Sequence, residues 1–226
     1  MIVNAEKVRF HDNDYPSGDG KPVAETDLHR DVLLGTINKL EHHFATNPDV
    51  YVSGNLLVYY EKGNKKRRVA PDVFVVRGIA KGSRPNYLVW EEKPLDVVIE
   101  VTSKRTKAED TKKKWTLYQD TLKVKEYFLF DPYGDYLKPS LQGFSRVRGK
   151  FKPIEFVNDR LPSAELGLHL QRDGLYLRLW ERDGSRQLLT TWEQAAIAES
   201  RANAAKAENQ RLRRELEQLR GKRNGK

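Results

Sequence analysis

The chain has 226 residues, of which 38% are hydrophobic, and a formal net charge of +9. This length and composition suffice for one good-sized core with some chain left over. A basic chain attracts polyanions, and nucleic acid is the commonest of these. The absence of cysteine excludes disulfides, thiolate metal sites and cysteine nucleophiles.

The start of the chain lacks a basic segment followed by a long apolar run, and no apolar run of 18 residues occurs anywhere. We therefore expect a cytoplasmic protein with no membrane partner. The five histidines form no HExxH motif, and no Gly-x-Ser-x-Gly is present. These absences disfavour a histidine-metal hydrolase and a Ser-His-Asp hydrolase.

The predicted elements begin with an irregular lead-in over residues 1–27, because residues 11–27 are polar and contain several turn formers. From Leu28 to Phe44, apolar residues recur at helical intervals, which predicts an amphipathic helix of about four turns. His29 and Glu41 lie on or near this helix. His29 could contact phosphate or substrate and Glu41 could point into a site, or the two could be a solvated helix end and a surface acid.

Runs rich in valine, leucine, isoleucine and aromatic residues predict strands further along the chain. These runs are residues 51–60, 69–76, 95–101, 126–130, 143–157, 166–171 and 175–180, the last two forming a hairpin. Residues 108–121 predict a second helix between the third and fourth strands. The order helix, three strands, helix, strand predicts an α/β (α+β) core on a mixed sheet, αβββαβ, with added C-terminal strands.

Two acids stand out because they lie in or beside apolar strands. Asp72 follows Pro71 at the start of one run, and Glu100 lies within the run Leu95–Asp-Val-Val-Ile-Glu-Val. The period of two in a strand puts Glu100 and Thr102 on the same face. A buried acid is costly unless a divalent cation, or an arginine or lysine from a neighbouring element, balances its charge.

A lysine on the second predicted helix points toward the same strand. Lys114 shares a face with Leu117 and Tyr118, whereas Lys113 projects at another angle. Packing of that face on the sheet would direct the Lys114 ammonium toward Glu100. Asp110, one turn earlier on the same face, is a candidate partner or a first-turn charge.

Four pieces of sequence, through their order and spacing along the chain, resemble the PD-(D/E)XK nuclease superfamily. Within that superfamily, they resemble the restriction-endonuclease-like family expanded in cyanobacteria. The pieces are Pro71-Asp72, Glu100-Val-Thr, the run from Asp110 through Lys114 to Tyr118, and Val124 to Asp131-Pro132. The resemblance covers about residues 28–190 and includes Ser163-Ala-Glu-Leu-Gly-Leu. It implies an endonuclease-like domain over residues 28–191.

The resemblance also implies metal-dependent hydrolysis of phosphodiester bonds, with DNA as the expected substrate. Asp72, Glu100 and the carbonyl of Val101 would hold Mg²⁺ or Mn²⁺. Lys114 would orient or deprotonate the attacking water and offset charge on the phosphorane. Tyr118 would support Lys114, stack on a base or pack in the core.

One position departs from the superfamily pattern, which places a lysine two residues after the second acid. That position is Thr102 here. Lys114 is therefore the first candidate for the catalytic lysine, and Lys104 and Lys113 remain alternatives.

Candidate phosphate contacts are Lys65, Lys66, Arg67 and Arg68 in the basic turn, together with Lys104, Arg105 and Lys113. A plain solvated loop is the alternative for the basic turn.

Residues 192–226 predict a long helical tail, because they are rich in alanine, glutamate, arginine and glutamine and lack proline. Heptad spacing puts Asn209 at an a position and Leu212 and Leu219 at d positions. An asparagine at a is typical of parallel dimers, so the tail predicts a coiled coil and a homodimer. A single solvated helix is the alternative, because only three leucines fill the seam.

Two other classes of function stay open. A catalytically inactive, nucleic-acid-binding module would keep the nuclease fold, and Thr102 in place of the strand lysine favours it. The presence of both Asp72 and Glu100 argues against it. A scaffold that recruits a partner or a second copy through its tail is the other alternative.

Overall fold

A computed structural model of the chain describes residues 15–18, 26–103 and 106–223, without the side chains of residues 218–223. Most of the predicted lead-in, and the candidate residues Lys104 and Arg105, lie outside these ranges. The chain divides into two compact units, Met1–Leu188 and Leu189–Lys226. All the strands of the described residues lie in the first unit.

The predicted first helix is present as α1, Asp27–His43. It begins where Thr26 accepts a hydrogen bond from the main-chain N–H of His29 at 3.2 Å, because an N-terminal threonine satisfies an otherwise unpaired helix donor. Val32, Leu33 and Leu40 form its buried stripe. That stripe packs on one face of the sheet.

Within the described ranges, twelve strands follow in three sheets. In chain order they are β1 (Val50–Ser53), β2 (Val58–Tyr59), β3 (Arg68–Val69), β4 (Val73–Arg77), β5 (Tyr87–Leu88), β6 (Val97–Val101), β7 (Glu126–Phe130), β8 (Leu141–Val147), β9 (Lys150–Pro153), β10 (Leu161–Ser163), β11 (Leu168–Asp173) and β12 (Tyr176–Glu181). The central sheet has the order β1-β4-β6-β7-β8-β9, a small sheet has the order β3-β2-β5, and the C-terminal sheet has the order β10-β11-β12.

The central sheet is mixed, because β6 and β7 are parallel and its other neighbouring pairs are antiparallel. Ignoring the short strands of the small sheet, α1, β1, β4, β6, the intervening helical segment and β7 reproduce the predicted αβββαβ order. The predicted α/β fold class is therefore confirmed. The predicted hairpin is β11–β12, closed by Gly174 with φ +58°.

The single strand predicted over residues 51–60 is wrong, because the chain breaks at Gly54 and continues in another sheet. A Cβ at Gly54 would lie 2.0 Å from the carbonyl oxygen of Asp72, so only glycine fits this close approach. Asn55 follows with φ +50° and donates its N–H to the Pro71 carbonyl at 2.8 Å. The break therefore packs the end of β1 against Pro71-Asp72.

Between β6 and β7 the predicted helix is present but is wound mainly as two π-helical segments, Glu109–Lys114 and Leu117–Thr121. Sequence periodicity predicted an α-helix here. π-Winding is rare, and it occurs frequently at functional sites. These segments lie on the face of the sheet opposite α1, where Tyr118 packs edge-on against Tyr127.

The second unit contains one long helix, α2, Thr191–Arg223. Thr190 and Glu193 form a capping box at its start: the Glu193 N–H donates to Thr190 Oγ1 at 3.1 Å, and the Thr190 N–H donates to Glu193 Oε2 at 2.7 Å. Leu212 and Leu216 are exposed. Among the residues described, no helix has the length and apolar character needed to cross a bilayer.

Candidate active site

Strand pairing brings the two predicted acids together. In the antiparallel pair β4–β6, Val73 lies opposite Ile99, so the next position places Asp72 opposite Glu100. Residues directly opposite in such a pair project to the same face of the sheet. The main-chain N–H of Asp72 donates a long hydrogen bond to Glu100 Oε2, with 3.4 Å between nitrogen and oxygen.

Glu100 is fully buried, with 0% of its surface exposed. Two side chains of the π-helical segments bond its carboxylate. The Tyr118 hydroxyl donates to Oε1 at 2.6 Å, and the Lys114 ammonium donates to Oε2 at 2.8 Å. The buried acid is therefore paired at both oxygens.

Among the lysines that the structure describes, Lys114 is the one that contacts Glu100. Its side chain is 12% exposed, and its Nζ lies 3.1 Å from Asp110 Oδ1. Lys112 and Lys113 are exposed. The expected common face of Asp110, Lys114 and Tyr118 is present, although the segment is π-wound.

Asp72 is held from two sides. The main-chain N–H of Val101 donates to Asp72 Oδ2 at 2.7 Å, so Val101 contacts the acid through its amide. His29 Nε2 lies 3.5 Å from the same oxygen. The first turn of α1 thus closes the site beside Asp72, and His29 is not a solvated helix end.

The environment pushes the pKa values of the two acids apart. Burial raises the pKa of Glu100 to about 8; Lys114 opposes this, and the charges of Asp72 and Asp110 add to it. Burial also acts to raise the pKa of Asp72, but His29, Lys114 and the Val101 amide together lower it. The pKa of Glu100 is therefore raised and that of Asp72 lowered relative to their ordinary values.

Burial acts to lower the pKa of Lys114, but the carboxylates of Glu100 and Asp110 outweigh it and raise this pKa. Lys114 is consequently a firmly protonated ammonium. With all its acids ionised, the cluster of Asp72, Glu100 and Asp110 carries three negative charges against one positive charge on Lys114. A divalent cation would balance the remaining two charges.

The donor set suits a hard cation, because carboxylate oxygens are the ligands that Mg²⁺ and Mn²⁺ prefer. Within the described part of the chain, no three His, Cys, Asp or Glu side chains are grouped to hold one ion. Asp72 and Glu100 are the two neighbouring carboxylates that could hold such an ion, and Mg²⁺ usually keeps several waters when it is bound by one or two carboxylates. The residues present fit such an ion.

Two of the predicted accessory residues, Glu41 and Thr102, contribute no side-chain hydrogen bond to this site among the residues described. Glu41 lies three turns along α1 from His29 and lines a separate pocket of about 410 Å³, so it does not point into this site. Thr102 is buried, and its hydroxyl has no hydrogen-bond partner among the residues described. The position of the usual strand lysine is thus filled by a small side chain.

A groove of about 1020 Å³ passes beside Lys114. Lys66, Arg67 and Arg68 of the predicted basic turn line it together with Lys113 and Lys114.

The basic turn itself is ordered by local contacts. The Arg67 guanidinium donates to Glu61 at 3.0 Å and lies over the ring of Tyr60, and Arg68 donates to the Lys65 carbonyl at 2.8 Å. Lys65 and Lys66 remain exposed.

One contact of this cluster had no counterpart in the sequence analysis. The hydroxyl of Tyr127 on β7 donates to the main-chain carbonyl of Asp110 at 3.0 Å. No local pattern could have predicted this bond, because it joins a strand to a π-wound turn 17 residues earlier. For Asp110 itself, the spacing of four residues to Lys114 was the available signal.

Comparison with known proteins gives a family match and a similar solved structure. A family model described as Uma2, putative restriction endonuclease, matches residues 11–177. A crystal structure of a putative nuclease belonging to DUF820 from Anabaena variabilis ATCC 29413 aligns with a TM-score of 0.50 and 14% identity, over 69% of this chain and 83% of that chain. At 14% identity, the structural match supports only the assignment of the fold. No curated protein matches the chain. The family match covers most of the sequence and confirms the resemblance, so the chain belongs to the Uma2 family, within the PD-(D/E)XK restriction-endonuclease-like superfamily of nucleases.

Proposed function

We propose that the protein is a Mg²⁺-dependent endonuclease that hydrolyses the phosphodiester bonds of DNA. The observation that carries this proposal is the meeting of Asp72, Glu100 and Lys114 in one buried cluster, from three separate parts of the chain. Membership of a nuclease family is the second support, because it indicates a nucleic-acid substrate. Mn²⁺ is the expected substitute ion, since it shares the preference for oxygen ligands.

Asp72 and Glu100 would hold the ion, with the Val101 carbonyl as the proposed main-chain ligand. A bound divalent cation supplies a Lewis acid for the scissile phosphate and lowers the pKa of a bound water. The chain contributes the two carboxylates. It also contributes buried surroundings, in which electrostatic interactions with the ion are stronger than in water. His29, 3.5 Å from Asp72, orients that carboxylate.

Lys114 acts as a cation in this proposal. Its raised pKa argues against abstraction of a proton from water by the amine. A fixed ammonium can instead donate hydrogen bonds to the attacking water and to the phosphate oxygens, where negative charge develops. Of the two roles considered from the sequence, orientation and charge stabilisation therefore have the better support.

The groove beside Lys114 is the proposed path of the nucleic-acid backbone. Lys66, Arg68 and Lys113 line this groove and would contact phosphates there. Lys65 would add a contact from the exposed turn, which Arg67 would order through Glu61. Phosphate contacts of this kind supply affinity without reading sequence. We infer a backbone-binding surface leading to the cluster.

The test is incubation of the purified full-length protein with supercoiled plasmid, single-stranded DNA and RNA, in Mg²⁺, in Mn²⁺ and in EDTA. We expect nicking of DNA that needs the metal and is lost in Glu100→Gln. Glu155→Gln, the same substitution at an exposed acid, is the matched control and should cleave normally. Cleavage that survives EDTA, or that is equal in Glu100→Gln, would contradict the proposal.

A catalytically inactive nucleic-acid-binding module is the second candidate, favoured by Thr102 at the position of the usual lysine. Calorimetry with Mg²⁺ and Mn²⁺ separates the two candidates. An intact site gives a binding heat that Asp72→Ala removes, whereas an inactive module gives no heat while still binding DNA.

We also propose that α2 pairs with a second copy of the chain as a parallel coiled coil. What supports this is the exposure of Leu212 and Leu216 on the described helix, at neighbouring d and a positions. Asn209, at the a position that precedes Leu212, now donates its side-chain amide to the Ala205 carbonyl of its own helix at 3.0 Å and would set the register. In the scaffold alternative, deleting residues 193–226 removes function while any cleavage stays intact.

A further inference from the structure

Asp110 is a buried acid that the proposed metal pair does not use. It is 1% exposed, and its Oδ1 lies 3.1 Å from the Lys114 ammonium. No ion-holding group of three His, Cys, Asp or Glu side chains exists in the described ranges, which leaves Asp110 outside the pair of Asp72 and Glu100. Its observed partner is the lysine.

The backbone around Asp110 is fixed in place. Asp110 lies in the first π-helical segment, and the buried Tyr127 hydroxyl donates to its carbonyl at 3.0 Å. Its own N–H donates to the Thr106 carbonyl at 2.8 Å. The carboxylate is therefore presented to Lys114 from a rigid turn anchored on β7.

The carboxylate oxygens of Glu100 already accept hydrogen bonds, and the proposed metal ion would compete for them. Glu100 Oε2 now accepts from the Lys114 ammonium and from the Asp72 amide, while Oε1 accepts from Tyr118. A divalent cation held by Glu100 must draw on these same oxygens. It would also repel the ammonium, because like charges in a buried site interact strongly.

We propose that Asp110 is a positioning residue that keeps the Lys114 ammonium at the site when a divalent cation takes over the Glu100 carboxylate. The inference rests on the proposed metal-dependent function. Without the ion, Glu100 and Asp110 share the ammonium. With the ion bound, Asp110 alone holds it within reach of the reacting phosphate.

The test follows the ammonium directly by nuclear magnetic resonance of ¹⁵N-labelled full-length protein titrated with Mg²⁺. A lysine NH₃⁺ group gives a sharp signal only when an ion pair slows its exchange with water. The Lys114 signal is identified by its absence in Lys114→Met. The variants are Asp110→Asn, the charge-restoring Asp110→Glu, and Asp120→Asn as the matched control. Asp120 lies in the second π-helical segment and pairs with Lys150 at the surface.

We expect the wild-type signal to shift with Mg²⁺ and to persist. In Asp110→Asn, it should be present without the ion, through Glu100, and lost when the ion binds. Asp110→Glu should retain it, and Asp120→Asn should behave as wild type. The proposal is overturned if the Asp110→Asn signal survives Mg²⁺, if the wild-type signal disappears, or if Mg²⁺ changes neither spectrum.

Kinetics provides the second readout. Asp110→Asn should lower kcat about 10- to 100-fold with little change in KM, because a residue that holds another typically contributes that much. An equal loss in Asp120→Asn would indicate a merely structural effect and overturn the proposal. If the wild type cleaves no substrate, the proposed function fails, while the NMR titration still decides the role of Asp110.

Discussion

Asp72 and Glu100 face each other at the ends of two antiparallel strands, with the amide of Asp72 3.4 Å from the carboxylate of Glu100. The two acids are 28 residues apart in the chain, and the register of β4 on β6 alone brings them together. In this arrangement the pKa of Asp72 is lowered while that of its neighbour Glu100 is raised.

Replacing Asp72 by Asn should lower nuclease activity by at least about 100-fold, because it removes one of the two carboxylates of the proposed metal site. The amide keeps the shape of the side chain, so the fold should persist. Cleavage rates and the heat of Mg²⁺ binding measure the effect together. An Asp72→Asn protein with normal metal binding would contradict the assignment.

Lys114→Ala should lower kcat about 100- to 1000-fold, the usual cost of removing one charge-stabilising donor. Lys113→Ala is the neighbouring control, and should change KM and salt dependence while leaving kcat near wild type. Comparing kcat and KM for the two variants tests which lysine acts in the reaction. A larger loss of kcat in Lys113→Ala would move the role to that residue.

The free energy of unfolding should fall as pH rises between the unfolded and folded pKa values of Glu100. The pKa of this carboxyl is near 4.5 when exposed and about 8 in the folded chain, so between these values the folded state binds more protons than the unfolded state. The free energy of unfolding must therefore decrease across this window as pH increases.

Glu100→Gln cannot release that proton. Its Tm relative to wild type should rise steadily from the acid end of the window to the alkaline end, because only the wild type loses stability there. Thermal melts of both proteins measure this difference, and Glu155→Gln should show a constant difference from wild type. A flat result for Glu100→Gln would mean that Glu100 stays ionised throughout.

Removing Lys65 and Lys66 together should weaken DNA binding and reduce the slope of log K against log salt by about 1.8, since each phosphate contact contributes about 0.9. Binding titrations at several salt concentrations give the slope. Lys152→Ala on β9, an exposed strand residue, is the control and should leave it unchanged. An unchanged slope in the double variant would make the basic turn a plain solvated loop.

Replacing Leu212 and Leu216 by Lys should convert a dimer into a monomer, because both residues are at seam positions of the proposed coiled coil. Light scattering of the full chain measures the mass. Ala207→Lys, outside the seam, is the control. A wild-type protein that is monomeric at all concentrations would refute pairing through α2.

Local patterns were sufficient to predict much of this protein. The αβββαβ order, the helix from Leu28 and the face shared by Lys114 and Tyr118 all follow from periods of two and about 3.6 residues, which short stretches of sequence display. The acids Asp72 and Glu100 stood out for the same local reason, because a charge in an apolar run is costly to bury.

What only the tertiary structure decided depends on contacts between distant segments. The break of the predicted strand at Gly54 follows from the approach of the Asp72 carbonyl, and the π-winding around Asp110 is held by packing against β7. The raised pKa of Glu100 likewise exists only when burial surrounds it with Asp72, Asp110 and Lys114. Such effects arise from desolvation and long-range pairing, which no window of sequence contains.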